Sequence, residues 1–210
     1  MRIAILTNSD KGYVLLKEHL SFRQVEQWQG IEIARGKLQN QPVLIMSCEH
    51  IEPLDSFDLI GAEEIPYIIS LGFAEEYSPP LAPGDILIAG EIDMRPTNAK
   101  LVDWCLAAVD EMEELSVFRT VVGSLHSSTP VEIKEGNVFA VDKKAAQLAA
   151  CLENQDTAIL FVRFIKDNGK DLQEDQCMEE NGQISFWLVK GILGQISKYR
   201  QNLTSDIGVV

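Results

Sequence analysis

The amino-acid sequence predicts an α/β fold with a mixed β-sheet, and three observations lead to that prediction. Residues 2–6 form a short apolar run, followed by a polar loop and then by apolar positions at helical spacing over 13–20. This order is typical of a strand, a loop and a helix. Residues 31–37 and 42–47 flank Gln39-Asn40 and predict a hairpin, so antiparallel pairing should interrupt any parallel order. The apolar run Ala158–Ile165 is the strongest candidate for a central strand.

The remaining elements follow from the same periodicities. Pro66 and Gly84-Asp85 each introduce a short apolar run that is typical of a buried strand, and the loops after these strands are suited to carry chemistry. The polar, acidic residues 167–182 predict a loop, and two interpretations of it stay open: a lid or mobile binding loop, or simple disorder. The other predicted strands are 67–71, 86–89 and 118–122, and the other predicted helices are 98–115, 142–152 and 184–199.

Composition narrows the classes of partner. The chain has 210 residues, 46% of them hydrophobic, and a formal net charge of −14. An acidic protein repels phosphate backbones and anionic lipid heads, so we expect neither nucleic acid nor membrane as a partner, and a neutral or small ligand fits better. Four widely spaced cysteines, no signal-peptide pattern and no long apolar segment predict a cytoplasmic protein. The length of the chain predicts one domain over residues 1–210.

The usual motifs of cofactor and metal enzymes are missing from the sequence. It contains no G-x-G-x-x-G, P-loop, G-x-S-x-G or H-E-x-x-H pattern, which argues against dinucleotide, ATP, serine-hydrolase and zinc-protease sites. Its three histidines are spread along the chain, so a metal cluster has little support. We therefore expect neither a metal nor a cofactor.

A stronger signal is the order of several weak motifs. The opening MRIAILTNSDKGYVLL precedes the hairpin IEIARGKLQNQPVLIMS, the block YIISLGFAEEYSPPLAPGDILIAGEI, and the pair GNVFAVDKKAAQLA and ILFVRFIKD. In this order the motifs resemble the nucleoside phosphorylases and the methylthioadenosine/S-adenosylhomocysteine nucleosidases. The resemblance spans nearly the whole chain and implies a three-layer fold with a central mixed, partly barrel-like sheet flanked by helices. It also implies a purine-type nucleoside as ligand and a homo-oligomer.

The chemistry of that family assigns a role to Asp167. Cleavage of an N-ribosyl bond needs a group that protonates the departing base, contacts that hold the sugar hydroxyls, and a nucleophile at the anomeric carbon. The family's base-protonating carboxylate maps onto Asp167, at the end of a predicted buried strand, where partial burial would raise its pKa. Without the resemblance, an aspartate here would more simply cap the next turn.

Other family positions have changed. The glutamate that holds the ribose maps onto Lys144, and an ammonium group cannot accept hydrogen bonds from hydroxyls. Lys144 then either binds a carboxylate or phosphate, pairs with an acidic neighbour such as Asp142, or is simply solvated. The glutamate that activates water maps to Gly12, and Asp10 would replace it only if the loop shifts. Lysine also occupies position 166, where the family has serine.

We predict that three loops line the pocket: Asn8 to Asp10, Gly72 to Ala74 and Ser124 to Ser128. Phosphorolysis is the least supported reaction, because Glu49, Glu75 and Glu76 would repel phosphate and Phe73 replaces a serine. His126 lies in the stretch that aligns with the base-stacking segment, although a histidine in a serine-rich loop is more often a surface residue. The predicted substrate-binding residues are Asn8, Ser9, Asp10, Gly72, Phe73, Ala74, Ser124, His126, Ser127, Asp142 and Lys144.

Two functions follow from this pattern. The first is hydrolysis of a purine-type N-ribosyl bond with Asp167 as general acid. The second is a catalytically impaired protein that keeps the scaffold for ligand binding or protein interaction. Inward-pointing ammonium groups of Lys144 and Lys166 would depress the pKa of Asp167 and favour the second function.

Overall fold

The computed structural model describes residues 2–28, 30–48, 61, 63–74, 76–130, 138–152, 156–166 and 174–207. They form strands and α-helices, with a short 3-10 helix at Glu113–Leu115. In chain order the elements are β1 (Ile3–Thr7), α1 (Asp10–Glu18), β2 (Ser21–Trp28), β3 (Ile31–Leu38), β4 (Gln41–Ser47), β5 (Tyr67–Ala74), β6 (Glu76–Tyr77), β7 (Ile86–Ile92), β8 (Arg95–Pro96), α2 (Ala99–Glu111), β9 (Thr120–His126), β10 (Phe139–Val141), α3 (Lys143–Leu152), β11 (Ala158–Ile165) and α4 (Glu174–Ile207).

All of these strands belong to one mixed sheet. The order is β2-β3-β4-β1-β5-β11-β7-β9-β10-β6, and β8 pairs with β7. β1, β4, β5 and β11 are mutually parallel, whereas β7 is antiparallel to β11 and β3 is antiparallel to β4. β6 follows β5 after one residue yet pairs with β10 at the far end of the order. The sheet therefore curls back on itself from β5 to β6, as a partly barrel-like sheet must.

The two faces of the sheet are packed in separate hydrophobic clusters. Ile3 and Ile5 of β1 belong to one cluster, and Ala4 and Leu6 belong to the other, because side chains alternate along a strand. Buried side chains of α1, α2 and α4 pack in the first cluster, and buried side chains of α3 pack in the second. This is the three-layer α/β arrangement, so the predicted fold class is confirmed.

Local sequence signals explain where several elements begin and turn. Gln39 and Asn40 have φ of 50° and 62°, the paired positive values that a tight two-residue hairpin turn needs. Ser9 accepts a hydrogen bond from the backbone N–H of Gly12 and caps α1, and Asn98 caps α2 by accepting from the N–H of Leu101. Asp142 caps α3 in the same way, from the N–H of Ala145.

Several predicted elements differ from the observed ones, and β5 extends to Ala74, so the predicted loop 72–74 is part of a strand. α4 begins at Glu174, so part of the predicted loop 167–182 is helical; its glutamates and glutamines favour helix without showing an apolar face, and Gly182 packs beside Leu15 of α1. β2 has no apolar alternation, is almost wholly exposed, and was not predicted. β9 extends to His126, four residues past the predicted end. Among the helices described, none is both long and apolar enough to cross a bilayer.

Candidate functional site

The candidate site lies where the parallel strands end. Because β1, β4, β5 and β11 run in the same direction, their carboxyl ends share one edge of the sheet. The backbone N–H of Asn8, one residue after β1, donates to the carbonyl of Leu71 in β5, and the N–H of Cys48, one residue after β4, donates to the carbonyl of Thr7. Ligands of open α/β sheets commonly bind outside such carboxyl ends. Asn8 and Gly72, two of the predicted substrate-binding residues, thus lie together at this edge.

A buried ion pair forms the floor of the site. Arg163 is 3% exposed, and its Nε donates to Oδ2 of Asp142 at 2.5 Å. Its Nη1 donates to the carbonyls of Ser70 and Val162, and its Nη2 donates to the Ser70 hydroxyl at 3.2 Å. Both oxygens of Asp142 are engaged, because Oδ1 accepts from the N–H of Ala145. The floor is consequently a saturated network that fixes the start of α3 against β5 and β11.

A small cavity opens above this floor. Its volume is about 40 Å³, which holds only a few water molecules. Apolar side chains of β1 and α3 cover one part of it, and polar side chains cover the rest. The lining residues are Leu6, Thr7, Asn8, Cys48, Ser70, Asp142, Lys144, Ala145, Leu148 and Arg163. Three predicted substrate-binding residues, Asn8, Asp142 and Lys144, are therefore brought together.

A second, narrower cavity adjoins the first at Thr7 and Asn8, which line both. Ser9, Gly12, Gly72 and Phe73 line it, together with residues of β11 and α4. The ammonium group of Lys166 lies over the ring of Phe73, 4.6 Å from its centroid. Lys144 and Lys166 thus both lie at the site, Lys144 in the lining of the first cavity and Lys166 on a lining residue of the second.

The side chain of Asn8 packs directly on Gly72. A Cβ atom at position 72 would lie 2.4–2.6 Å from the amide atoms of Asn8, closer than any real contact allows. A side chain at position 72 would therefore force the Asn8 amide to move. Among the described residues, Oδ1 of Asn8 is buried without a hydrogen-bond partner.

Of the other predicted residues of the first two loops, Asp10 and Ala74 line neither cavity and Ser9 lines only the second. Asp10 is exposed in the first turn of α1 and accepts a hydrogen bond from the Ser47 hydroxyl at 2.6 Å. Ala74 is buried in the hydrophobic cluster under α3, and its carbonyl accepts from the N–H of Lys166. Ser9 lines the second cavity, but its hydroxyl caps α1. Their contact with a substrate stays a prediction.

The predicted Ser124–Ser127 stretch lies apart from both cavity linings. The Ser124 hydroxyl is buried against the carbonyl of Val138. The His126 ring packs edge-on against Phe139, and its Nδ1 lies 3.7 Å from a carboxylate oxygen of Asp93. That same oxygen accepts from the N–H of Ser127. One link to the site remains, because the carbonyl of His126 accepts from the backbone N–H of Asp142 at 2.9 Å.

Some predictions fall outside the described residues. Asp167, the predicted general acid, lies there, as do Glu49 and Glu75. Within the described part of the chain, no three His, Cys, Asp or Glu side chains are grouped so that they could hold a metal ion.

Sequence reasoning did not select Ser70, Arg163 or Cys48 as site residues. Arg163 carried a usable signal, because a lone arginine inside the apolar strand AILFVRFI has to find a buried partner. Ser70 is the only polar side chain of the predicted strand YIISL, apart from the tyrosine at its start. Cys48 has no comparable signal, since only the register of β4 beside β1 places it here.

A wider cavity of about 390 Å³ lies elsewhere, between the β7–β8 hairpin, α3 and the start of β11. None of the predicted site residues lines it. Its polar side chains are engaged in the fold: the Thr97 hydroxyl donates to the carbonyl of Ala89, Asn98 caps α2, and the Thr157 hydroxyl donates to the carbonyl of Ile65. The chemistry-bearing groups therefore concentrate at the smaller cavities.

The fold of this chain is similar to that of several solved structures. No protein-family model and no curated protein sequence matches the chain. A methylthioadenosine/S-adenosylhomocysteine nucleosidase from Colwellia psychrerythraea, in complex with adenine, has a TM-score of 0.77 at 18% identity over 93% of this chain and 95% of that one.

Two further solved structures have a similar fold. A futalosine hydrolase mutant from Helicobacter pylori has a TM-score of 0.77 at 16% identity over 93% of this chain and 99% of that one. The methylthioadenosine/S-adenosylhomocysteine nucleosidase of Campylobacter jejuni has a TM-score of 0.73 at 15% identity over 92% and 98% of the two chains. The fold implied by the resemblance is thus confirmed.

Proposed function

We propose that this protein binds a purine-type nucleoside at the carboxyl edge of β1, β5 and β11 and hydrolyses its N-ribosyl bond. The observation that carries the proposal is the cavity formed by Asn8, Asp142 and Lys144 over the Arg163 ion pair, in a fold shared with a nucleosidase that is solved with adenine. The cavity has to widen before a nucleoside can enter, because its present volume is about 40 Å³.

In this proposal Asp167 is the general acid. The bond between the anomeric carbon and the base nitrogen breaks, its electron pair passes to the base, and Asp167 gives the base a proton. A water oxygen bonds to the carbon, and the proton that this water loses passes to bulk solvent, from which Asp167 is protonated again. Support comes from the chain just before it: β11 ends at Ile165 at the cleft, and Lys166 lies on the ring of Phe73. The described lining offers no second carboxylate for activating water, because both oxygens of Asp142 are engaged.

A second candidate function is ligand binding without turnover. It is favoured by Lys144, an ammonium group in the cavity at a position where the sequence resemblance implies a glutamate. It is also favoured by the two lysines at the site, Lys144 and Lys166, which oppose a protonated Asp167. In this case the fold serves as a binding module. We also propose that residues 1–210 form one domain and that the protein is a homo-oligomer. Light scattering on the purified protein measures its oligomeric state.

Base release separates the two functions. Purified protein and an Asp167→Asn variant are incubated with methylthioadenosine, S-adenosylhomocysteine, adenosine, inosine and guanosine, with and without phosphate, and thermal unfolding is recorded in parallel. Release that needs Asp167 but not phosphate supports the nucleosidase. A raised unfolding temperature without release supports the binding module, and a Lys144→Glu variant that then gains release identifies the lysine as the cause. No response to any compound contradicts both functions.

A further inference from the structure

The buried amide oxygen of Asn8 is an acceptor without a partner among the described residues. A buried polar atom that makes no hydrogen bond destabilises a fold, so such atoms are rare and call for an explanation. The backbone N–H of the same residue is satisfied by the carbonyl of Leu71 at 3.0 Å. The unpaired group is therefore confined to the side chain.

The position of this oxygen points to a ligand. Asn8 lines both cavities of the candidate site. Its amide is held against the backbone of Gly72, where even a methyl group would collide with it. An amide that is packed this closely keeps its oxygen in place before any ligand arrives, and preorganisation of this kind favours binding.

The other side-chain oxygens of the first cavity already take part in hydrogen bonds. Both oxygens of Asp142 accept, from Arg163 and from the N–H of Ala145. The Ser70 hydroxyl accepts from Arg163, and the Thr7 hydroxyl donates to the carbonyl of Ser9. Among the described lining residues, Asn8 is thus the one whose side-chain oxygen is buried and takes part in no hydrogen bond.

We propose that Oδ1 of Asn8 accepts a hydrogen bond from a sugar hydroxyl of the bound ligand and so determines that the ligand must carry that hydroxyl. This inference rests on the proposed nucleoside binding. A hydroxyl both donates and accepts, and the ammonium group of Lys144, with three N–H bonds, lines the same cavity. Asn8 and Lys144 together complement a hydroxyl in a way that the lysine alone does not.

The test compares adenosine with 2′-deoxyadenosine and 3′-deoxyadenosine by titration calorimetry. We expect the wild-type protein to bind adenosine about tenfold more tightly than at least one deoxy form. Asn8→Leu, which has a similar size and no acceptor, should lose that preference by weakening adenosine binding alone. Asn8→Asp, which keeps the acceptor, should retain the preference. Asn202→Leu, the same change at an exposed residue near the end of α4, should behave as wild type.

Gly72→Ala provides a second route if Asn8→Leu fails to fold. The new methyl group displaces the amide without changing its chemistry, so the preference for the hydroxyl should fall as in Asn8→Leu. Gly36→Ala in β3 is the matched control. A Cβ at this position would lie 2.8 Å from the carbonyl oxygen of Ser21 in β2, and neither cavity lining includes these two residues. It should lower the unfolding temperature but leave the preference intact.

The outcomes separate this inference from the proposed function. A preference for the hydroxyl that persists in both Asn8→Leu and Gly72→Ala overturns the role of Asn8 while nucleoside binding stands. Equal binding of the three nucleosides by the wild-type protein also overturns the role of Asn8 alone. Failure of the wild-type protein to bind any of the three overturns the nucleoside site and this inference together.

Discussion

Replacing Asp142 by asparagine tests whether the Arg163 ion pair holds the site together. The substitution keeps the shape of the side chain and the oxygen that caps α3, but it removes the charge that faces the guanidinium group at 2.5 Å. Arg163 remains buried with only the neutral acceptors Ser70 and Val162. Any loss of stability then reports the missing charge.

The expected loss follows from burial. Asp142 and Arg163 are 9% and 3% exposed, and removing one partner of such a buried pair costs about 3–5 kcal/mol. Asp142→Ala also removes the cap of α3 and should cost about 1 kcal/mol more. The double variant Asp142→Ala/Arg163→Met leaves no buried charge at the pair. It should be more stable than Asp142→Ala by about 2 kcal/mol, because apolar replacement of a buried pair is often nearly neutral.

Urea unfolding, followed by far-ultraviolet circular dichroism, measures these differences. With a slope of about 2 kcal/mol per molar urea, Asp142→Asn should lower the midpoint by about 2 M. Glu111→Gln is the matched control, since it also turns a paired carboxylate into an amide. Glu111 and its partner Lys198 are more than half exposed, so the midpoint should not shift measurably.

Two results would refute this reasoning. A loss below about 1 kcal/mol in Asp142→Asn would mean that the guanidinium is solvated or paired elsewhere. Strictly additive effects of the Asp142→Ala and Arg163→Met substitutions would mean that the two side chains do not interact, because residues in one network should couple.

Three further predictions concern packing, thiol chemistry and the rim of the site. Gly191→Ala should lower the free energy of unfolding by about 1–3 kcal/mol, because its Cβ would lie 2.7 Å from that of Ala108. Gly194→Ala, whose Cβ would have its nearest neighbour at 3.8 Å, should raise the free energy of unfolding by up to about 1 kcal/mol. Urea unfolding measures both changes, and a shift of the two variants in the same direction would contradict this packing argument. Burial raises the pKa of the Cys105 thiol to about 12. Cys105→Ala should therefore leave labelling of the native protein by Ellman's reagent at pH 8 unchanged and reduce labelling in urea. Fewer labelled thiols in the native variant than in the native wild-type protein would contradict the burial of this thiol. Lys144→Met should raise the Kd for adenosine about three- to tenfold without moving the unfolding midpoint, because Lys144 is exposed at the cavity; an unchanged Kd in calorimetry would exclude its contact with the ligand.

Local sequence patterns were sufficient for much of the architecture. The strand Ala158–Ile165 was predicted with its observed bounds, because eight mostly apolar residues in succession fit only a strand that is covered on both faces. The turn at Gln39-Asn40 was also predicted, since asparagine is one of the few residues other than glycine that readily adopt positive φ. β2 was missed because an exposed edge strand shows no apolar alternation.

For the site, the sequence by itself predicted that Asn8 and Gly72 lie near the ends of two strands, although Gly72 proved to lie within β5 and not in a loop after it. Only the tertiary structure decided the contacts between them. Arg163 and Asp142 are 21 residues apart, and their pairing depends on how β10 and α3 return to β11. The unpaired oxygen of Asn8 likewise depends on the close approach of β5 at Gly72. Hydrogen-bond satisfaction is a property of distances between separate chain segments, and a sequence pattern encodes only the neighbours along the chain.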